Sequence, residues 1–178
     1  MKNIIILSFF ILQVGLLKSE PGQLIEYNLQ SNMSQEDITL VLWMAGINAE
    51  ANYSISIYDI KYETEGEGGY IDTLAGLVVF PQSPSEAFPI LTYHHGTAVN
   101  DANAPSLLGL SVDNQEILFI SLITSPIGYI TLFPDYEGLG DPNTFHPYII
   151  GKSYAHSTVN MIRAVKELSW ELELANSF

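Results

Sequence analysis

Two short apolar runs, PILTY (Pro89–Tyr93) and GYITLFP (Gly128–Pro134), constrain the fold more than any other feature of the sequence. Neither run alternates apolar and polar residues, which is the pattern of a strand whose two faces are both covered. Between them, Asp113 is placed to cap a helix over residues 114–124. A strand, a helix and a second covered strand predict a parallel sheet with helices on its faces.

An antiparallel hairpin is predicted upstream of these runs. Residues 54–64 alternate in the manner of a half-buried strand, and Ile71–Phe80 form a second β-rich segment ended by prolines. The sequence EGEGG at 65–69 is a turn that glycine and charged residues tolerate. Further upstream, Ser34 begins a capping pattern for a short helix that ends near Ala45.

A long amphipathic helix is predicted over residues 153–175, and Ser153 is expected to cap its start. Its apolar positions recur at steps of three and four and form one stripe: Ala155, Val159, Ile162, Val165, Leu168 and Leu172. The predicted fold class is therefore α/β, with an N-terminal hairpin followed by parallel strands and flanking helices.

The first 19 residues have the layout of a secretory signal peptide, because a lysine precedes the short apolar segment Ile4–Leu17. The cleavage site after Ser19 is weak, since Leu17 stands where a small side chain is usual, and an uncleaved anchor is the alternative. We expect a secreted, periplasmic or extracellular protein, with residues 20–178 in a single domain and no stable membrane insertion after cleavage.

The formal net charge of −14 argues against nucleic acid or an anionic membrane surface as a partner. The chain has no cysteine, which excludes disulfides, thiol nucleophiles and thiolate metal sites. Its histidines are His94, His95, His146 and His156. No pair of them has the i, i+4 spacing of a helical zinc site, so we expect neither a metal nor a cofactor.

Two loops at the carboxyl ends of the covered strands carry the residues of interest, because ligands of open α/β sheets bind there. In the first, YHHGTAV (Tyr93–Val99), a His-Gly pair lets the backbone turn sharply and direct amide N–H groups into a cleft, as an oxyanion hole requires. The alternative is a tight loop whose histidines only pack against neighbours. The second, PDYEGLGDP (Pro134–Pro142), is also explained as a turn where a strand ends.

Taken together, the two loops make the sequence resemble the N-terminal half of secreted α/β hydrolases of the secretory lipase type. The resemblance runs from about Asp37 to the end. Its blocks are YIDTLAGLVVFPQ, YHHGTAV, ITLFPDYEGLG and HPYIIGKSYAHSTVNMIRAV. The more specific pattern is PDY-x-GLG followed by HPY and a helix that ends in Arg163-Ala164, whereas an HG pair alone is common.

The resemblance implies a serine hydrolase that cleaves carboxylic esters, with a small acyl ester or a lipid as substrate. The HG pair of the family falls on His95 and Gly96, and the amide of an oxyanion hole would come from Gly96 or Thr97. Asp135 and Tyr136 would form the rim of the pocket and are not carried over as catalytic.

The nucleophile of such hydrolases lies in a G-x-S-x-G turn after the strand that follows the long helix. No G-x-S-x-G occurs in these 178 residues. The resemblance therefore implies a fragment with no catalytic residue of its own, inactive alone, whose sheet stops before the nucleophile strand.

The serine, the acid and the histidine of the triad are accordingly expected beyond Phe178, the last residue of the sequence. The nucleophile strand is expected to pair beside Gly128–Pro134. The alternative to a hydrolase is a non-catalytic, exported binding module that kept the hydrolase scaffold.

Overall fold

The computed structural model describes residues 20–174 except Pro84, Val99, Pro142 and Asn143. Within this part of the chain, five strands form one sheet in the order β1-β2-β3-β5-β4. The strands are β1 (Leu24–Met33), β2 (Ile55–Glu65), β3 (Ile71–Pro81), β4 (Ile90–Thr92) and β5 (Ile130–Pro134). The helices are α1 (Gln35–Met44), α2 (Pro105–Leu108), α3 (Gln115–Thr124) and α4 (Gly151–Glu171).

Two expectations fall on residues outside this range. The predicted signal peptide, residues 1–19, lies outside the described residues. Phe178, beyond which the catalytic triad is expected, lies outside them too. Both expectations therefore stay predictions.

The predicted hairpin and the predicted parallel pair are both confirmed. Strands β2 and β3 are antiparallel, in an unbroken register from Ile55 opposite Pro81 to Glu65 opposite Ile71. Strands β4 and β5 are parallel, with Ile90 opposite Ile130, and α3 lies between them in sequence. Ser34 caps α1 as expected, because its hydroxyl accepts a hydrogen bond from the Asp37 amide at 3.1 Å.

Strand β1 was missed by the sequence analysis. It pairs antiparallel with β2 at the edge of the sheet, and its register shifts twice. Most of its side chains are exposed, including those of Ile25 and Leu29. Its sequence, LIEYNLQSNM, does alternate apolar and polar residues from Ile25 to Gln30, so the pattern of a strand was present and was overlooked.

Strand β5 lies inside the sheet, and the expectation that a further strand pairs beside it was wrong. It pairs antiparallel with β3 on one side and parallel with β4 on the other. All five of its residues are buried, whereas those of β4 are only half-buried. Among the described residues β4 pairs with β5 alone, so its other edge is the open one. The prediction of two covered strands therefore holds for β5 and not for β4, and two apolar runs do not reveal the order of their strands in a sheet.

Apolar clusters cover both faces of the sheet, because successive residues of a strand point to opposite sides. One cluster lies between the sheet and α4 and includes Ile60, Tyr62, Leu132, Met161 and Leu168. The other lies under α1 and α3 and includes Ile38, Ile57, Leu77, Ile117 and Phe133. The two faces of the sheet are thus covered by helices, and the loops that follow β4 and β5 meet at the carboxyl ends of these strands.

Helix α4 differs from its prediction in its start and in half of its buried face. It begins at Gly151, and the hydroxyl of Ser153, inside its first turn, donates to Glu137 Oε2 at 2.7 Å instead of capping the helix. Val165 and Leu168 are buried as expected, but Ala155 and Val159 are exposed. The buried positions there are polar and hydrogen-bonded, which a search for apolar periodicity overlooks; they include Ser153, Ser157 and Asn160.

Helix α3 also begins without the expected cap. Its N-cap residue is Asn114 instead of Asp113, and no side chain forms a capping hydrogen bond there. None of the helices among residues 20–174 combines the length and the apolar character needed to cross a membrane.

Candidate functional site

Two loops meet at the carboxyl ends of β4 and β5. We call them the β4 loop (Tyr93–Ala98) and the β5 loop (Asp135–Gly140). A cavity of about 430 Å³, here the loop cavity, lies between them and is closed on one side by Tyr154 from the first turn of α4. Three predicted site residues, His95, Gly96 and Thr97, line it together with Tyr136.

Two side chains fix the peptide groups on either side of Gly96. The ring of His95 donates from Nδ1 to the Gly96 carbonyl at 2.8 Å, and the Gly96 N–H donates to Glu116 Oε1 at 3.2 Å. In a trans peptide the C=O and the N–H point in opposite directions. The Thr97 N–H, which shares a peptide group with the Gly96 carbonyl, therefore points away from His95.

The amide of Thr97 is thus the available donor of the β4 loop. The structure gives it no acceptor among the described residues, whereas the Gly96 amide is already bonded to a carboxylate. Of the two amides considered from sequence, the geometry favours that of Thr97.

The backbone conformation at position 96 does not explain why this residue is glycine. Its φ lies outside the left-handed region, and an added Cβ would meet only the Glu116 carboxylate at 3.8 and 3.9 Å, an ordinary contact distance. The path of the β4 loop therefore does not require glycine at position 96. The fold within the described residues accommodates alanine here.

The ring of His95 is neutral at neutral pH. Burial lowers its pKa, and this effect exceeds the opposing effect of the hydrogen bond with the Gly96 carbonyl. Because a carbonyl oxygen only accepts, the single ring proton lies on Nδ1. His95 therefore acts on the β4 loop as a fixed donor and brings no positive charge to the cavity.

Tyr136 forms the floor of the loop cavity and has an unusual backbone conformation. Its φ is 68°, a left-handed value that costs a bulky residue about 1–3 kcal/mol. Its buried ring lies 4.6 Å from the ring of His95 and 4.5 Å from that of Tyr154, measured between centroids. Burial raises the pKa of Tyr136, so its hydroxyl, 2.9 Å from His94 Nδ1, keeps its proton.

The mouth of the loop cavity is formed by an exposed segment before α4. The hydroxyls of Thr97 and Tyr148 are hydrogen-bonded at 2.8 Å and join this segment to the β4 loop. Ile149 has a left-handed φ of 60°, and Phe145 is 86% exposed. This segment therefore exposes apolar side chains next to the loop cavity, and Ile149 is the one of these two that lines it.

Asp135 does not line the loop cavity, although it precedes Tyr136. It is fully buried and faces a separate cavity of about 310 Å³. Its carboxylate accepts hydrogen bonds from the Ser106 amide, at 2.9 Å, and from the Ser106 hydroxyl. Burial nevertheless raises the pKa of Asp135 to about 7. This residue anchors the first turn of α2.

Two acidic residues of the site were missed by the sequence analysis. Glu116 lies in the first turn of α3, where acids are common on any helix, so its position carried no signal. Glu137 is buried and accepts from the Glu67 amide at 3.0 Å and from the Tyr70 hydroxyl at 2.9 Å. No group of three or more acidic, histidine or cysteine side chains that could hold a metal ion is found in the described part of the chain.

Solved structures of hydrolases share this fold. A candidate hydrolase from Legionella pneumophila is 28% identical with a TM-score of 0.72, and the match covers 86% of this chain and 42% of that one. The rice cell wall degrading esterase LipA from Xanthomonas oryzae is 22% identical with a TM-score of 0.75, over 86% and 39% of the two chains. Candida antarctica lipase A in its closed state is 19% identical with a TM-score of 0.54, over 88% and 33%.

Neither a family model nor a curated protein matches the chain by sequence. The chain spans about two-fifths of the length of the first two of these structures, 42% and 39%. The described residues have the fold of the N-terminal part of lipase- and esterase-type α/β hydrolases. The α/β fold class predicted from the strand and helix patterns is confirmed, and so is the resemblance to lipase- and esterase-type hydrolases.

Proposed function

We propose that this chain supplies the oxyanion-stabilising loop and part of the substrate pocket of a serine hydrolase for carboxylic esters. One observation carries the proposal. The Thr97 N–H is an available donor on a loop whose neighbouring peptide groups are fixed by His95 and Glu116, at the edge of the sheet where such hydrolases bind substrate. The similarity to an esterase and a lipase supports the same reaction class.

The chemistry requires a donor that is fixed before the reaction. Attack on an ester carbonyl places negative charge on its oxygen, and an amide N–H already held in position stabilises that charge without reorganising. Tyr136 supports this role, because its hydroxyl is protonated and lines the same cavity. We assign His95, Gly96 and Thr97 to the oxyanion loop, and Tyr136 to the pocket.

The substrate that fits best is a small acyl ester. A volume of about 430 Å³ lies within the usual range for small-molecule sites, about 300–1,000 Å³. The walls of the loop cavity are largely tyrosine and histidine rings, among them Tyr148 and Tyr154, and its described lining includes no carboxylate, lysine or arginine. An uncharged acyl ester suits such walls, because it needs hydrogen bonds only at its carbonyl.

The nucleophile, the acid and the base of the triad are proposed to come from a continuation beyond Phe178, because these 178 residues contain no G-x-S-x-G. We further propose that residues 1–19 direct export and that residues 20–178 are the N-terminal part of a single hydrolase domain. No cofactor is needed for this chemistry. The chain by itself is expected to show no turnover.

The experiment compares the 178 residues alone with the product of the longest open reading frame that contains them. Both are assayed with p-nitrophenyl acetate, butyrate and dodecanoate. The proposal predicts turnover by the longer product only, and faster turnover with the two short esters. Inactivity of a folded longer product that contains a G-x-S-x-G turn would refute it and would favour a non-catalytic binding module.

A further inference from the structure

We infer that Glu116 is a positioning residue for the β4 loop: it orients the peptide group before Gly96 and, through it, the donor of the oxyanion hole. This inference deepens the proposed function and rests on it. One carboxylate oxygen, Oε1 of Glu116, accepts both the Gly96 N–H, at 3.2 Å, and the hydroxyl of Tyr93, at 2.7 Å.

These two contacts clamp the β4 loop where it leaves the sheet. Tyr93 is still held to the sheet, because its amide donates to the Leu132 carbonyl at 2.8 Å and its ring packs 5.8 Å from that of Phe133. Gly96, three residues further, is exposed and has no side chain of its own to hold it. The carboxylate of Glu116 therefore links the exposed Gly96 to Tyr93, which is held by the sheet.

The clamp acts on the reacting geometry through a single residue. The peptide group that Glu116 holds and the peptide group that carries the Thr97 N–H are separated only by the two torsions of Gly96. Glycine is the residue whose torsions are least restricted, so without an external contact the direction of the Thr97 N–H would vary widely. Two side chains restrict it: His95 from the carbonyl side and Glu116 from the amide side.

Glu116 has no comparable importance for folding. Its side chain is exposed and lies at the start of α3, where a negative charge contributes only about 0.3–1 kcal/mol through the helix dipole. Its effect on turnover should therefore exceed its effect on stability. A residue of purely structural importance would not show this separation.

The chain offers a matched control. Helices α1 and α3 are both ten residues long and both begin Gln-Glu, so Glu36 occupies in α1 the position that Glu116 occupies in α3. Glu36 is exposed and lies in the first turn, far from the β4 loop in sequence. Glu36→Ala removes the same charge from the same helix position without touching the loop.

The test measures steady-state kinetics of the full-length hydrolase on p-nitrophenyl butyrate. Glu116→Ala is expected to lower kcat by about tenfold, a fraction of the loss caused by removing a donor, with KM changed by less than about twofold. Glu116→Gln, whose amide oxygen still accepts both hydrogen bonds, should stay within about threefold of the wild type. Glu36→Ala should match the wild type in both constants.

A second measurement does not depend on activity. In protein labelled with ¹⁵N-glycine, the Gly96 amide proton should move upfield in Glu116→Ala, because it loses a hydrogen bond to a carboxylate, and should not move in Glu36→Ala. An unchanged Gly96 resonance would refute the contact. Equal kcat in Glu116→Ala and Glu36→Ala, or an equal loss in Glu116→Gln and Glu116→Ala, would refute the positioning role. Absence of esterase activity in the wild type would instead refute the proposed function.

Discussion

Replacing the buried Asp135 by asparagine should change how stability depends on pH. The pKa of this carboxyl is raised from 3.8 to about 7, chiefly by burial and in part by Asp59. Between these values the folded protein holds a proton that the unfolded chain has released, so the contribution of Asp135 to stability is largest at low pH and is lost as pH rises through 7. From about pH 5 to about pH 8 this loss amounts to about 2–3 kcal/mol.

Asparagine does not titrate and keeps the contacts of the aspartate. Its side-chain oxygen still accepts from the Ser106 amide, and its NH₂ group donates to the Ser106 hydroxyl. The unfolding free energy of Asp135→Asn minus that of the wild type should therefore grow by about 2–3 kcal/mol over the same pH range.

Urea denaturation of both proteins at several pH values gives this difference in unfolding free energy directly. Groups that titrate equally in the two proteins contribute nothing to the difference. The exposed Asp113→Asn serves as a control for the loss of one negative charge. A difference between Asp135→Asn and wild type that is flat with pH, or that shrinks as pH rises, would refute the assignment of a protonated Asp135 to the folded state.

Three further variants test other parts of the account. Tyr136→Phe keeps the ring and its left-handed backbone but removes the hydroxyl beside His94. The kcat should fall by about tenfold with an unchanged melting temperature, and an equal kcat would show that the hydroxyl of this pocket residue has no part in turnover. Gly138→Ala should destabilise the protein by more than about 2 kcal/mol in thermal denaturation, because φ is 75° and the new Cβ would lie 2.5 Å from the His146 amide nitrogen. An unchanged melting temperature would contradict that geometry. Glu137→Ala removes the acceptor of the buried Ser153 hydroxyl and of the more exposed Glu67 amide and Tyr70 hydroxyl, so it should cost about 1–3 kcal/mol in urea denaturation, whereas no measurable loss would show that water replaces the carboxylate.

The parts of the fold that follow from local patterns were predictable from the sequence. The β2–β3 hairpin has alternation on one strand and a glycine-rich turn, and both apolar runs are strands of one parallel pair. Strand β1 carries the same kind of local signal, an alternation of apolar and polar residues from Ile25 to Gln30, although most of its side chains are exposed and the strand was overlooked. The place of β5 between β3 and β4 is set by long-range pairing, which no local pattern encodes.

Part of the candidate site could also be predicted from the sequence, and part of it could not. The β4 loop could be found, because a His-Gly pair follows a short apolar run that forms a strand. The choice of the Thr97 amide over that of Gly96 could not, because it depends on a carboxylate 20 residues away in sequence that accepts the Gly96 N–H. Asp135 was expected at the pocket rim with Tyr136, yet adjacent residues at a strand end point to different sides, and only Tyr136 lines the loop cavity.

The most direct test of the central claim replaces the Thr97 amide by an ester, by incorporating the α-hydroxy analogue of threonine into the full-length protein. This change deletes one N–H and keeps the side chain, including its hydrogen bond with Tyr148. The account predicts that kcat on p-nitrophenyl butyrate falls by about 10²-fold, the loss typical of one oxyanion donor, while lactic acid at the exposed Ala87 has no effect. A kcat within about threefold of the wild type, in a protein with an unchanged melting temperature, would show that the oxyanion is stabilised elsewhere.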